Sequence, residues 1–261
     1  MNVLAGKRAW VGGASRGIGR ACAEELARLG AGVTAVARDA AALERVVVEL
    51  PTSGGQRHAH VAVDYADRER LRSRVAEHLG EVGSIHILIN NTGGPPAGPI
   101  GDADESALSD AFAKHVLCNQ LLVRAVVPGM KEAGYGRIIN IISTSVIQPI
   151  MGLGVSNTIR GAVANWGRTM AGELAPYGIT VNNVLPGYTS TDRLRFILKG
   201  RAEKRGISYD EIERDVLEKI PMGRLAQPAE LAAVVGFLAG PAASYVTGVN
   251  LPVDGGRTAV Q

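Results

Sequence analysis

Cysteine is scarce in this sequence. Only two of the 261 residues are cysteines, Cys22 and Cys118, and both fall in predicted helices far apart in the chain. Two residues so placed cannot build a disulfide framework, and nothing in their spacing suggests a metal site. We therefore expect no bound metal.

Long apolar runs are also absent. No apolar segment approaches the roughly 18 residues that a membrane-spanning helix needs, and the opening MNVLAGKRAW has no apolar stretch typical of a secretion signal. These absences predict a cytoplasmic protein that does not associate with a membrane.

The chain has little excess of either charge. It carries 28 basic and 25 acidic residues, for a net charge of +3, and the two signs are interspersed. Proteins that bind nucleic acid usually concentrate basic residues on one face, and no such concentration is visible here. We expect no nucleic-acid partner.

What the sequence does contain is a regular alternation of short apolar segments and helical patterns. The predicted strands cover residues 8–13, 32–38, 58–64, 85–91, 136–143 and 178–187, and the last is GVNLPVDGG. Strands that are apolar nearly throughout are covered on both faces, which is typical of a parallel sheet between two helix layers. The sequence therefore predicts one α/β domain over residues 1–261, a doubly wound sheet of about seven parallel strands.

Two helix boundaries and one long helix can also be predicted. Gly30 should end the first helix, and Asp39 should cap the second. A single long helix is predicted from about Asp104 to Met130. In sheets of this kind, ligands bind at the carboxyl ends of the strands.

A glycine-rich loop, GGASRGIG, follows the first strand and opens the first helix. Glycines permit the tight turn and let the backbone approach a pyrophosphate, while the helix start offers free N–H groups. The strand-to-helix context strengthens the motif, although a plain turn is the alternative. The loop residues expected to bind a dinucleotide are Gly13, Ser15, Arg16, Gly17, Ile18 and Gly19.

The end of the second strand, AVARD, bears on the choice between NADP and NAD. Ala37 stands where a fold selective for NAD usually has an acidic residue, and Arg38 follows it. Arg38 and Arg16 could together bind a 2′-phosphate, which favours NADP(H) over NAD(H). The alternative is that both are surface arginines and that Asp39 is the acid. Asp64 could accept from the adenine amine or cap a helix.

Together with the segments NNTGG, LPGYTST and IPMGRLAQP…ASYVTGVNLPVDGG, these motifs resemble the short-chain dehydrogenase/reductase family, the bacterial 3-oxoacyl-acyl-carrier-protein reductases in particular. The resemblance covers nearly the whole chain. It implies a Rossmann-type fold and a homo-tetramer, or a dimer, with residues 245–256 at a subunit interface. It also implies that Asn90 and the following turn line the adenosine and ribose side. The further cofactor-binding residues that it implies are Asp64, Tyr65, Asn91, Thr92, Gly93, Arg160, Pro186, Gly187, Thr189 and Thr191.

The family's chemistry is hydride transfer to or from a carbonyl carbon, with a proton passing through a tyrosine. The resemblance implies a lysine four residues after that tyrosine, a serine thirteen before it, and an asparagine on the long helix. Placed on this sequence, the serine is Ser143, but Ser156 replaces the tyrosine, Arg160 the lysine and His115 the asparagine. The chain is similar to an atypical branch of the family.

These replacements leave two interpretations. No tyrosine lies between residues 135 and 177. A serine hydroxyl is a much weaker acid than a tyrosine hydroxyl, and the serine side chain is much shorter. Arg160 keeps a positive charge but does not shuttle protons, whereas His115 titrates near neutrality when unperturbed. Either His115, or a water held by Ser143 and Ser156, supplies the proton, or the redox chemistry has been lost. Packing or an interface is the alternative role for His115.

The segment over residues 190–219 is long and highly charged, and it fits a mobile lid over bound ligand. Its basic residues could attract an acidic substrate such as an acyl carrier, although a solvated helical face is an equal alternative. They are Arg193, Arg195, Lys199, Arg201, Lys204 and Arg205. Tyr188, just before the lid, could offer a substitute hydroxyl or pack beside the loop.

Two functions are consistent with these features. The first is an NADP-dependent oxidoreductase whose proton donor is not the family's tyrosine, acting on a small carbonyl or alcohol substrate or an acyl thioester. The second is a catalytically inactive NADP-binding sensor or scaffold. Both require the nucleotide site, and they differ in turnover.

Overall fold

A computed structural model describes residues 2–259 and centres on a parallel sheet of seven strands in the order β3-β2-β1-β4-β5-β6-β7. The strands are β1 Arg8–Gly12, β2 Gly32–Ala37, β3 Ala59–Ala62, β4 Ile87–Asn90, β5 Gly136–Ile141, β6 Ile179–Pro186 and β7 Asn250–Val253. Strand order reverses between β1 and β4, which creates a crevice at the carboxyl ends of these strands. The predicted doubly wound α/β architecture is confirmed.

Helices cover both faces of the sheet. They are α1 Gly17–Arg28, α2 Ala40–Glu49, α3 Arg68–Val82, α4 Glu105–Phe112, α5 Cys118–Glu132, α6 Gly154–Leu174, α7 Asp192–Arg205, α8 Tyr209–Leu217 and α9 Pro228–Ala239. Short 3₁₀ turns occupy Ile100–Asp102, Thr144–Val146, Ala175–Tyr177 and Pro241–Ala243.

The two faces of the sheet carry separate apolar cores. Successive residues of a strand point to opposite faces, so Val11 packs with α1, α2 and α9 while Trp10 packs with α3 and α5. Leu26 and Val235 join the first core, and Leu122 joins the second. Because both faces are buried, most strand residues are apolar, which is the pattern that made the strands recognisable in the sequence.

Helix boundaries follow local hydrogen bonds. The carboxylate of Asp39 accepts from the Ala42 N–H at 3.0 Å, so the predicted cap of α2 is confirmed. The first helix ends at Arg28, and Gly30 follows with a φ of 98°, a left-handed conformation that glycine adopts without strain.

The predicted single helix from Asp104 to Met130 is wrong in one respect. A π-helical turn, Ala113–Leu117, separates α4 from α5 and carries His115. Turns of this type interrupt the regular hydrogen-bond ladder and often occur at functional sites.

Four asparagines, three of them buried and Asn250 half-buried, form a ladder across the sheet. The side-chain amide of Asn90 donates to Asn140, that of Asn140 to Asn183, and that of Asn183 to Asn250, each at 2.8 Å. Their strands pair in a register that places these residues side by side. A Cβ added at Gly167 would lie 2.8 Å from Asn183 Oδ1, so helix α6 approaches this ladder closely. The ladder gives partners to polar groups that would otherwise be costly to bury, and among its oxygens Asn90 Oδ1 is buried without a partner in the described residues.

Within residues 2–259, no helix has the length and apolar character that a membrane span requires. Over the same range, no three or more His, Cys, Asp or Glu side chains converge as a metal site would need. The two thiols are buried, and burial raises the pKa of Cys22 to about 12 and that of Cys118 to about 11.

Candidate active site

The glycine-rich loop forms a narrow turn at the end of β1. Gly13 and Gly17 have φ values of 62° and 57°. A Cβ at Gly13 would lie 2.6 Å from Asn91 Nδ2, and a Cβ at Gly19 would overlap the Gly13 carbonyl. Asn91 Nδ2 donates to the Gly12 carbonyl at 3.0 Å and fixes the turn. The loop therefore leaves bare backbone in front of helix α1, which fits a dinucleotide pyrophosphate.

The two arginines that bear on cofactor choice lie at the end of β2 and in the loop. The Ala14 N–H donates to Val36 O at 3.1 Å and ties the loop to β2, whose last residue is followed by Arg38. Arg16 is exposed just before α1. Arg38 Nη1 lies 3.7 Å from Asp64 Oδ2, in an exposed ion pair.

Tyr65 does not offer its side chain to a cofactor, contrary to the expectation. The ring is only 6% exposed and belongs to the core beneath the glycine loop. Trp10 Nε1 donates to the Tyr65 hydroxyl at 3.2 Å, and Cys118 Sγ donates to the Tyr65 carbonyl at 3.0 Å. Burial raises the pKa of the Tyr65 hydroxyl. The side chain of Ile18 likewise packs against the core, which leaves its backbone as the part that a cofactor could contact.

Asn90, the last residue of β4, does not lie where the family resemblance implies. Asn90 is buried and bonded to Asn140, so its side chain lies inside the sheet rather than along the adenosine and ribose side. Asn91 and Thr92 are half-buried at the strand end, and Gly93 is exposed.

The loop after β6 reaches towards the glycine loop. The Gly187 N–H donates to Val253 O at 3.0 Å. Thr189 turns inward, since it is 4% exposed and its hydroxyl donates to Gly187 O, which corrects the expectation that it faces the cofactor. Thr191 caps α7, and its Cγ2 is 3.4 Å from a Cβ built on Gly17. Pro186 is half-buried at the end of β6.

His115 is buried in the π-helical turn, with 3% exposure. Its Nδ1 shares a 2.8 Å hydrogen bond with the Thr92 hydroxyl, and its Nε2 is buried without a partner among the described residues. Burial, and then the positive charges of Arg160 and Lys114, lower the pKa of His115 to about 2. The expectation that this ring titrates near neutrality is therefore wrong. His115 is a neutral imidazole at physiological pH.

Arg160 and the serines lie where α6 starts and β5 ends. Arg160 is 9% exposed, and its Nη1 donates to Ile141 O at 3.1 Å. Burial, and to a smaller extent the charge of Arg193, lower the pKa of Arg160 to about 10, so it stays protonated at neutral pH. Ser156 lies one helical turn earlier on the same face and is half-buried. Ser143 is half-buried at the end of β5, where its hydroxyl accepts from a backbone N–H.

Two further side chains shape this region, and one of them, Arg257, was not identified from the sequence. Asn157 Nδ2 donates to Ile150 O at 2.9 Å and holds the turn before α6. Arg257 is 7% exposed, donates to the Thr144 hydroxyl at 3.4 Å and lies 5.3 Å from the Tyr188 ring centre. This contact gives Tyr188 a packing role. Arg257 lies in the segment after β7, where periodicity carries no information about side-chain partners.

The charged segment over 190–219 folds into α7 and α8. Arg193 Nη2 donates to Pro95 O at 2.8 Å, and Arg201 Nη2 donates to Met151 O at 3.4 Å. Helix α7 therefore rests beside the loops that follow β4 and precede α6. Its basic cluster is partly neutralised, because Arg195 and Arg205 form ion pairs with aspartates.

Comparison with known proteins places the whole chain among dehydrogenases and reductases. A family model described as enoyl-(acyl carrier protein) reductase matches residues 13–258. The chain is 35% identical over 255 residues to the 3-oxoacyl-[acyl-carrier-protein] reductase of Pseudomonas aeruginosa, covering 97% of this chain and 98% of the relative. It is 34% identical to a short-chain reductase protein of Streptomyces niveus, over 95% of this chain and 93% of the relative.

Solved structures agree with this placement. L-sorbose reductase from Gluconobacter frateurii, complexed with NADPH and L-sorbose, superposes with a TM-score of 0.92 at 31% identity, and each chain is covered completely. YwfH, an NADPH-dependent reductase of bacilysin biosynthesis, superposes with a TM-score of 0.90 at 27% identity over 96% of this chain and 98% of that one. The chain therefore belongs to the short-chain dehydrogenase/reductase family of NAD(P)-dependent oxidoreductases.

Proposed function

We propose that the protein is an NADP-dependent oxidoreductase that interconverts a carbonyl and an alcohol with a non-standard proton route. One observation carries the proposal. The glycine loop, the buried Arg160 and the Thr92–His115 pair all lie at the carboxyl edge of the sheet, where the family binds its cofactor.

The preference for NADP rests on the end of β2. Ala37 offers no acid for the ribose hydroxyls, and the alternative acid, Asp39, is engaged as the cap of α2. Arg38 and Arg16 are exposed and positively charged, as a 2′-phosphate would require. The L-sorbose reductase and YwfH structures, both associated with NADPH, support the same choice.

The proposed site keeps the positive charge of Arg160 but has Ser156 in place of the family's tyrosine. When bound, the nicotinamide gives or takes the hydride. Arg160 stays protonated and would stabilise negative charge on the substrate oxygen without moving its own proton. His115 cannot act as an imidazolium, so the proton would pass through its neutral ring or through a water held by Ser143 and Ser156.

The substrate class is a small carbonyl or alcohol, or an acyl thioester. Relatives named for such substrates include the 3-oxoacyl-[acyl-carrier-protein] reductase, the L-sorbose reductase and a cyclohexanol dehydrogenase of Rhodococcus. We also propose a homo-tetramer or dimer, because Phe237 and Tyr245 expose aromatic rings on α9 and on the carboxy-terminal segment. Light scattering after gel filtration tests the assembly, and a monomer would contradict it.

Turnover with NADPH tests the proposal directly. We expect measurable oxidation of NADPH with at least one member of a panel of ketones, aldehydes and acyl thioesters. Ser143→Ala, Arg160→Ala and His115→Ala should each lower the rate, whereas Ser73→Ala on the exposed face of α3 should not. An unchanged rate in all three variants would contradict the assigned roles.

The second candidate is a non-catalytic NADP-binding protein. It is favoured by one feature, the absence of any tyrosine between residues 135 and 177. Binding of NADPH with no turnover across the whole panel would support this function over the first.

A further inference from the structure

Two guanidinium groups approach Gly94, in the loop that follows β4. A Cβ placed on Gly94 would lie 3.8 Å from Arg193 Nη2 and 3.9 Å from Arg160 Nη2. Arg160 projects from α6, whereas Arg193 comes from the first turn of α7. Two separate elements therefore bring positive charge to one point at the carboxyl edge of β4 and β5.

Neither guanidinium is neutralised by the protein. Across residues 2–259, no carboxylate oxygen lies within salt-bridge distance of Arg160 or Arg193, although other arginines of α7 have aspartate partners. Each of the two donates to one backbone carbonyl, Arg160 to Ile141 and Arg193 to Pro95. A guanidinium has five N–H donors, so most of those of this pair are available to a ligand.

The burial of Arg160 makes the missing counter-charge significant. With 9% exposure, its guanidinium has lost most of its hydration, and an unpaired buried charge is costly. Arg193 is exposed, and its Nη2 donates to Pro95 O in the loop that follows β4. A bound anion would provide the missing counter-charge for Arg160, and Arg193 could bind the same anion.

We propose that the Arg160–Arg193 pair binds a carboxylate of the substrate, so that the protein acts on oxo acids and their hydroxy acid products. This inference rests on the proposed oxidoreductase function and specifies its substrate class. Guanidinium groups bind carboxylates through paired, parallel hydrogen bonds, which also orient the bound molecule. The pair is distinct from Arg16 and Arg38, which lie in the glycine-rich loop and directly after β2.

The cofactor pyrophosphate is the other anion that could reach this pair. The two sources predict different behaviour. A substrate carboxylate makes the pair discriminate between an acid and its neutral ester. A pyrophosphate contact makes the pair contribute to NADPH affinity, and acids and esters are then affected alike.

Matched substrates distinguish the two sources. The NADPH-dependent rate is measured with 2-oxo and 3-oxo acids and with their methyl esters, using the intact chain. We expect Arg193→Gln to lower kcat/KM for the acids at least tenfold, with ester activity and NADPH affinity within about twofold. Arg193→Lys should restore part of the loss. Arg214→Gln, an exposed arginine on α8, should change neither substrate.

Calorimetry separates failure of this inference from failure of the proposed function. The NADPH-saturated protein is titrated in phosphate-free buffer with 4-phenylbutanoate and with its methyl ester. Binding of the acid that Arg193→Gln abolishes supports the carboxylate site, even if no substrate turns over and the redox function fails. Equal loss for acid and ester, no acid binding, or a tenfold loss of NADPH affinity in Arg193→Gln would overturn it.

Discussion

A buried, neutral His115 should make the protein sensitive to acid in a way that can be measured. Burial lowers its pKa in the folded state to about 2, whereas an unfolded histidine titrates near its ordinary value of about 6.5. Between these values the unfolded chain binds a proton that the folded chain does not. Stability is therefore retained above pH 6.5 and falls as the pH drops below it. From pH 7.5 to pH 5.0 the loss attributable to His115 is about 2 kcal/mol.

Urea unfolding of His115→Gln and His115→Asn at both pH values checks this magnitude. Neither replacement titrates, so each variant should lose about 2 kcal/mol less than the wild type between pH 7.5 and pH 5.0. His78 and His86 also have pKa values lowered by burial, so some acid sensitivity should persist. For each variant, the free energy of unfolding at pH 7.5 is the reference for its value at pH 5.0, and both are measured at one protein concentration. An acid-induced loss equal to that of the wild type in both variants would refute a neutral His115.

Three further changes test the loop, the ladder and a cap. Gly19→Ala forces a Cβ onto the Gly13 carbonyl, so NADPH should no longer raise the melting temperature, whereas Gly80→Ala, with open space around it, should behave as wild type. Asn140→Ala removes the middle of the asparagine ladder and should cost about 2–5 kcal/mol in urea unfolding. Asp39→Ala removes the cap of α2 and should cost about 1 kcal/mol by the same measurement, and no loss would contradict the capping bond.

Periodicity and glycine chemistry made most of the fold predictable. Strands buried on both faces must be apolar, so β1 and β4 stood out as short apolar runs between amphipathic helices. The glycine loop could be placed because Gly13 and Gly17 adopt backbone angles that other residues avoid. Asp39 was recognisable as a cap because its bond to the backbone is local.

Features that depend on contacts between distant segments could not be predicted. Tyr65 follows a strand end, and only the packing of Trp10 and Cys118 against it shows that its ring lies in the core. The low pKa of His115 results from burial and from the charge of Arg160, 45 residues away in sequence. The approach of Arg160 and Arg193 to Gly94 likewise depends on how α6 and α7 are placed around the loop that follows β4.

The asparagine ladder illustrates an intermediate case. Asn90 and Asn140 stand near the carboxyl ends of β4 and β5, in ILIN and GRIINI, and this placement is visible in the sequence. The partners are determined only by strand order and register, which put Asn90 beside Asn140 and Asn140 beside Asn183. The family resemblance implied that Asn90 lies beside the cofactor, because its partner in the sheet could not be known from the sequence.

Calorimetric titration of the intact protein with NADPH and with NADH addresses the central claim that the nucleotide site is retained beside an altered proton-transfer set. We expect saturable binding of NADPH with a Kd in the micromolar range and weaker binding of NADH, because the proposed contacts of Arg16 and Arg38 need the 2′-phosphate, which NADH lacks. If neither NADPH nor NADH produces a heat of binding, even at millimolar concentration, the account is contradicted.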